Sequence, residues 1–221
     1  MYLDELVLSF REYADDLVDP YLWSSDLIES YAEQAEKEAC ERRPLLTSST
    51  DTDMCQIAVT SGTAVYTKHI AVREVYYAKF TETVSENEYR LRITNLDELT
   101  FTDPDWQDSS DVPSWLILDD TEVQIVPPPT ADGTLEISIS HVPKIAMSVK
   151  RLPTIHEAHR YSLLYWMLHL GFDRRDADTF NANKAQDYAA RFANYFGDPK
   201  GSNRVKSVRI VRDDRTPGGW I

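Results

Sequence analysis

The sequence contains only two cysteines among its 221 residues, Cys40 and Cys55. A disulfide-stapled secreted fold needs several paired cysteines, so this count excludes that class and is compatible with a reducing compartment. Cys40 falls in a helical pattern and Cys55 in a strand-like one, and we expect both to be buried free thiols. The first residues, MYLDELVLSFREY, lack the basic and apolar regions of a signal peptide, so we expect none.

Long apolar runs and glycines are scarce as well. The longest apolar-rich run, Tyr161–Leu170, is too short to cross a bilayer, so we expect no membrane span. Only seven glycines occur, and no stretch matches a phosphate-cradling loop or a nucleophile elbow. Hydrophobic residues nevertheless make up 42% of the chain, which is enough to build a globular core.

Positively charged residues are also few. The chain has 23 Lys and Arg and 37 Asp and Glu, which gives a net charge of −14. The net charge differs between the two parts of the chain. Residues 198–221 hold six basic and three acidic residues, whereas residues 1–197 hold 17 basic and 34 acidic ones. An acidic body is unsuited to wrapping nucleic acid, whose affinity comes mainly from Lys and Arg on phosphates. We expect the basic segment to have a partner of its own.

Helical periodicity occupies the first part of the chain. Apolar residues recur at helical spacing from Leu3 to Leu17, and Asp19-Pro20 closes that segment. A second helix is predicted after Ser24 and Ser25, which are good N-cap residues, and it ends before Pro44.

Helices return after Pro153. Tyr161–Leu170 predicts a central helix that is buried nearly all round, with Gly171 at its C-terminal end. The last helix is predicted to be capped by Asp176 or Asp178 and to end at Gly197.

Between these helical parts the period changes to that of strands. Asn95–Leu99 predicts one short helical turn, and six to eight short strands surround it, which favours closure as a small sandwich or barrel. The strand-like runs are Cys55–Val59, Ala64–Tyr66, Val72–Phe80, Tyr89–Ile93, Trp115–Leu118, Glu122–Val126 and Leu135–Val142.

The predicted fold class is therefore α+β. Residues 1–45 and 151–197 form two helical pairs that pack as a four-helix bundle, and residues 46–150 form an inserted antiparallel β-rich module. Residues 198–221 form a basic, extended C-terminal arm.

No group of residues points to catalysis, a metal or a cofactor. His156 and His159 are three residues apart, whereas a zinc-peptidase helix needs histidines at i and i+4, so we assign them to capping or surface packing. Asp173, Asp176 and Asp178 lack the glycine and distant glutamate of a calcium loop, and helix capping explains them better. We expect a protein that is not an enzyme.

The arm carries the main candidate binding residues. Its stretch RVKSVRIVR, residues 204–212, is strand-like and basic, and follows a flexible leader from Gly197 to Ser202. One interpretation is a disordered or back-folded terminus. The other is an arm that adds a strand to another subunit's sheet, with Trp220 as an anchor. The residues predicted to bind a partner are Arg204, Val205, Lys206, Val208, Arg209, Ile210, Val211, Arg212 and Trp220.

Several segments form a recognisable set when they are taken in order along the chain. They are Leu3–Leu6, Leu22–Ile28, Tyr31–Glu41, Trp106, Val112–Trp115, Val123–Pro129, Leu152–His159 and Phe196-Gly197. Together they resemble the head-to-tail adaptors of tailed bacteriophages, which include connector, head-completion and tail tubular protein A-like proteins. Two departures from the family pattern occur: Asp111-Val112 replace a usual glycine before Pro113, and the basic tail has no counterpart that aligns.

The resemblance implies a structural protein of the virion neck, made and assembled in the host cytoplasm. It implies a homo-oligomeric ring, commonly of twelve copies, that binds the portal on one side and tail nozzle, tail tube or tail-completion proteins on the other. DNA passes through such a ring without sequence-specific binding, and no membrane is involved.

A second hypothesis comes from a different class, a carbohydrate- or receptor-binding tail module. It uses tyrosines and tryptophans of the β module as an exposed aromatic platform. Burial of those side chains would exclude it. The five concerned are Tyr66, Tyr76, Tyr77, Trp106 and Trp115.

Overall fold

The computed structural model describes residues 2–107, 112–144, 152–176 and 178–199. It is a mixed α+β fold in which several helices accompany one curled sheet. The helices are α1 (Leu3–Ala14), α2 (Ser25–Arg42), α3 (Thr52–Cys55), α4 (Leu96–Thr102), α5 (Glu157–Arg160), α6 (Leu163–Asp173) and α7 (Ala182–Phe196). The strands are β1 (Thr47–Ser48), β2 (Gln56–Val59), β3 (Val65–Thr67), β4 (Val72–Glu82), β5 (Glu88–Thr94), β6 (Trp115–Leu118), β7 (Glu122–Val126) and β8 (Gly133–His141).

The central position predicted for the third long helix is confirmed, because α6 packs against α1, α2 and α7. Tyr161, the first residue of the predicted run, is exposed, but no residue from Ser162 to Phe172 is, as the apolar-rich run indicates. Helix α2 begins as predicted, with the Ser24 hydroxyl accepting a hydrogen bond from the backbone N–H of Leu27.

Three predicted helix ends are wrong. Helix α1 stops at Ala14 rather than continuing to Leu17, because Asp15 adopts a left-handed conformation with φ of 60°. Gly171 lies inside α6 and not at its end. Helix α7 is capped by Asn181, whose side chain accepts from the Lys184 N–H, rather than by Asp176 or Asp178.

Gly171 allows close packing between helices and does not cap α6. A Cβ atom at this position would lie 2.7 Å from Cζ of Phe10, whose ring is fully buried in α1. The absence of a side chain therefore lets α1 and α6 approach each other closely.

The sheet has the strand order β1-β8-β4-β5-β6-β7-β3, and β2 also pairs with β8. The predicted antiparallel pairing is wrong for one pair, since β5 and β6 run parallel. Helix α4 lies between them in the chain, and such a crossover returns the chain in the same direction. A closed sandwich or barrel was predicted, and the structure shows a single sheet that curls.

Strand β4 contains two irregularities in its pairing with β8, one between Val72 and Glu74 and one between Val75 and Tyr77. Each inserts an extra residue and reverses the alternation of side chains. As a result Val72, Val75 and Ala78 all point into the core although they are three residues apart.

One buried apolar cluster joins the helices to the sheet, with members from α1, α2 and α6 and from β4, β5 and β8. The helical part and the β-rich part thus share a core. Within the described ranges, every helix is too short or too polar to pass through a bilayer.

Both cysteines are buried free thiols, as predicted. Burial, with the charges of Glu36 and Glu41, raises the pKa of the Cys40 thiol to about 12. We expect neither thiol to react with iodoacetamide at pH 8 in the folded protein, and both to react after denaturation, as measured by mass spectrometry. Rapid labelling of the native protein would contradict the burial of these side chains.

Candidate interaction surface

The predicted arm residues, Arg204 to Arg212 and Trp220, lie outside the described residues. Gly197, where the leader begins, ends α7 with φ of 96°. Its carbonyl accepts a hydrogen bond of 3.1 Å from the guanidinium of Arg42 in α2. The leader therefore starts beside the C-terminal end of α2.

The histidine pair is used for local structure. The Nδ1 atom of His156 accepts a hydrogen bond from the Ala158 N–H and so caps α5. His159 lies against Tyr195, and partial burial, with the charges of Arg43 and His156, lowers the pKa of its imidazole. Among the described residues, no cluster of three or more His, Cys, Asp or Glu side chains is arranged to hold a metal.

The five aromatic residues of the β module differ in exposure. Tyr66, Trp106 and Trp115 are half-buried, whereas Tyr76 and Tyr77 are exposed. Tyr66 donates its hydroxyl to backbone carbonyls within the β2–β3 turn, and both tryptophans pack on a small apolar cluster of Leu99, Ile117 and Val126. Three of the five side chains are therefore engaged in packing.

An exposed apolar surface is instead found between α1 and α2. Leu17, Val18, Tyr21 and Leu22 are exposed there, and we call these four residues the loop surface. Val18 has 78% of its surface open to solvent. Exposed apolar side chains in one short segment are typical of a protein interaction site.

A buried ion pair fixes the backbone of this loop. The guanidinium of Arg11 lies 2.7 Å from the carboxylate of Asp16, and both side chains are almost completely buried. The same carboxylate accepts hydrogen bonds from the backbone N–H of Leu22 at 2.8 Å and of Trp23 at 3.4 Å. Asp16 therefore joins the end of α1 to the residues that lead into α2.

Two further contacts hold the loop in place. Arg11 donates to the Ser25 hydroxyl and lies 3.8 Å from the centre of the Tyr21 ring. The indole of Trp23 is buried edge-on against Phe10 and Phe172. The apolar side chains are thus presented by a preordered loop, which lowers the entropy lost on binding.

The surroundings of the loop surface are acidic. Residues 12–36 contain no Lys or Arg, and Glu12, Asp15, Asp19 and Asp26 are exposed around the loop. Arg11 is the positive group that touches the loop surface, and its charge is paired with the buried Asp16 carboxylate. An apolar centre with an acidic rim suits a partner that is apolar and basic.

Sequence periodicity missed this surface because it assigned Leu17 to the apolar stripe of the first helix. The lack of basic residues from 12 to 36 was readable in the sequence. It was not informative alone, since charge does not report which apolar side chains remain exposed.

A cleft of about 310 Å³ lies between α2 and the sheet, lined by residues that include Glu36, Arg73 and Lys144. Three of its charged groups are engaged within the chain. Glu36 accepts from the Ile155 N–H, Arg73 pairs with Glu41, and Lys144 pairs with Asp51. We therefore assign no ligand to the cleft.

Comparison with protein families places the chain beside phage adaptors. A family model described as SU10 adaptor protein matches residues 1–214. The matched range covers every helix and strand of the described residues and extends through residues 204–212, but it stops before Trp220. A comparison with curated proteins finds no significant match.

Proposed function

Because the chain belongs to the SU10 adaptor protein family, a family of phage head-to-tail adaptors, we propose that it forms the ring that joins the portal to the tail. The family supports a structural protein of the virion neck and partners among portal and tail proteins. The proposed ring contains twelve copies and continues the DNA channel. In this proposal the protein is not an enzyme.

The observation that carries the proposal, beside the family match, is the preordered loop surface. Leu17, Val18, Tyr21 and Leu22 expose apolar area in a loop that the buried Arg11–Asp16 pair holds in one conformation. A monomer gains nothing from such a surface, whereas an assembly buries it. We propose that α1, α2, α6 and α7 act as one helical bundle that packs beside the same bundle of the neighbouring copy.

The charge of the body supports a role beside DNA without binding to it. Each copy carries a net charge of −14, and every charged residue between positions 12 and 36 is an Asp or a Glu. We propose that some of this charge lines the channel, where it repels phosphates and lets the genome slide.

The test is assembly with the portal protein of the same phage, followed by electron microscopy and native mass spectrometry. We expect a ring of adaptor density on the tail-facing end of the portal, with a mass that gives the copy number. A protein that remains monomeric in the presence of portal and adds no density would overturn the proposal.

Removal of residues 198–221 is expected to leave a folded protein that attaches more weakly to the portal. All the described helices and strands end before this segment, so the circular dichroism spectrum and the unfolding midpoint should be unchanged. Attachment is measured by cosedimentation with portal at several salt concentrations. Equal cosedimentation of the two proteins would show that the arm does not contribute.

The carbohydrate- or receptor-binding alternative gains no specific support. Tyr76 and Tyr77 remain exposed, but Tyr76 donates its hydroxyl to Glu74, and Arg90 lies over the ring of Tyr77. Two tyrosines with intramolecular partners are a small surface for recognising a sugar. We therefore do not propose this function.

A further inference from the structure

We infer that residues 204–212 of one copy bind the loop surface of a second copy, so that each arm links neighbouring subunits. The inference rests on the proposed ring, and it names the contact that the arm makes within it. The acceptor consists of Leu17, Val18, Tyr21 and Leu22 together with the acidic residues around them.

The chemistry of the two segments is complementary. Residues 204–212 contain four basic residues, Arg204, Lys206, Arg209 and Arg212, and no acidic residue. Four apolar residues, Val205, Val208, Ile210 and Val211, alternate with them. The acceptor has the opposite arrangement, with exposed apolar side chains inside an acidic rim, so both hydrophobic and charged groups find partners.

The acceptor is already shaped in the free subunit. The Asp16 carboxylate is taken up by Arg11 and by two backbone N–H groups, so it is not part of the rim. The remaining acidic residues, Glu12, Asp15, Asp19 and Asp26, are exposed and face solvent. A strand of basic residues is thus attracted to the rim while its apolar side chains cover Leu17 and Val18.

The direction of the chain favours a second copy over the same copy. Trp23, at the start of α2, contacts Phe172 near the end of α6, and Asn181 at the start of α7 bonds to the Phe172 carbonyl. Helix α7 therefore starts near the loop surface and ends, at Gly197, beside Arg42 at the far end of α2.

The distance between the two ends of α2 is about 27 Å for its 18 residues. In the same copy, the arm would have to reverse direction at Gly197 and run back along this whole length. An extended chain covers about 3.3 Å per residue, so residues 198–208 can instead reach about 36 Å away from the body. The length of the arm therefore allows it to reach an adjacent subunit or its own loop surface, and the choice of a second copy rests on the direction in which α7 leaves the body.

The experiment uses full-length single-cysteine additions. Val18→Cys and Val208→Cys proteins are mixed, oxidised, and analysed for linked peptides by mass spectrometry, both free and assembled on portal. The native Cys40 and Cys55 thiols are buried and do not compete. We expect a link between residues 18 and 208 of different molecules, and we expect it to weaken as salt is raised.

A matched control is available at Val84, which is 94% exposed at the tip of the β4–β5 hairpin and has Glu82, Glu86 and Glu88 around it. Val84→Cys therefore presents a position that is more exposed than Val18 and is also flanked by acidic residues. We expect its link to residue 208 to be about tenfold less abundant. Equal yields at the two positions would overturn the inference, because they would report unspecific charge attraction.

Two other outcomes also decide the question. A double variant that carries both new cysteines and forms the link only within one molecule would overturn the choice of a second copy. If rings assemble on portal but residues 18 and 208 do not link, the inference fails while the proposed function stands. If no ring forms on portal, the proposed function itself fails.

Discussion

Replacing Asp16 with alanine is expected to lower the free energy of unfolding by about 3–5 kcal/mol. The substitution leaves the guanidinium of Arg11 buried without its counter-charge, since only 8% of that side chain is exposed. It also removes the acceptor of the Leu22 and Trp23 N–H groups. Urea or guanidinium unfolding followed by fluorescence measures the loss.

Asp26→Ala is the matched control for this prediction. Asp26 is an exposed carboxylate in the first turn of α2, where its interaction with the helix dipole stabilises the helix by less than about 1 kcal/mol. The double variant Arg11→Leu/Asp16→Ala should lose less stability than the two single losses added together, because the residues form one pair. Equal, small losses for Asp16→Ala and Asp26→Ala would show that the ion pair does not hold the loop.

Replacing Gly133 with alanine is the second large effect, with an expected loss of about 3 kcal/mol from overpacking. A Cβ atom at the start of β8 would overlap the backbone carbonyl oxygen of Thr81 and would lie 2.5 Å from the Phe80 ring. Phe80 is fully buried and the Thr81 carbonyl belongs to the paired strand β4, so neither can move aside cheaply. Thermal and denaturant unfolding measure the loss.

Gly62→Ala provides the comparison. Gly62 has a φ of 76° and nothing within 4 Å of its added Cβ, so alanine there suffers only backbone strain of about 1–2 kcal/mol. If Gly133→Ala proved no more destabilising than Gly62→Ala, then β8 would not approach β4 as closely as the structure shows.

The existence and type of the main elements were predictable because their patterns are local. The apolar face of α2 recurs at helical spacing after Ser24, and the strands of the β module show short β-rich runs between turns. The short helical turn predicted at Asn95 is α4, capped by that residue.

The errors arose where a distant contact overrode the local pattern. Asp15 and Asp16 end α1 early because the Asp16 carboxylate is used by Arg11 and by the start of α2. Gly171 suggests a helix end in the sequence, but the ring of Phe10 fills the space that its side chain would occupy. The parallel alignment of β5 and β6 depends on how α4 packs, which spacing alone does not report.

The candidate site likewise has one part that the sequence predicts and one part that it does not. The basic character of residues 204–212, and the resemblance to phage adaptors that the family match then confirmed, were already present in the order of residues. The loop surface was not, since Leu17 and Leu22 resemble core residues in any local pattern.

By itself the sequence determined most of the helices and strands, the acidic body and the family, because propensity, charge and residue order are properties of neighbouring residues. It did not indicate α3, which contains the Cys55 that was predicted to lie in a strand. Only the tertiary structure decided that Leu17, Val18, Tyr21 and Leu22 stay exposed. The reason is that burial depends on which distant groups pack nearby: Arg11 turns inward to Asp16, Trp23 enters the core between Phe10 and Phe172, and the apolar residues between them are left on the surface.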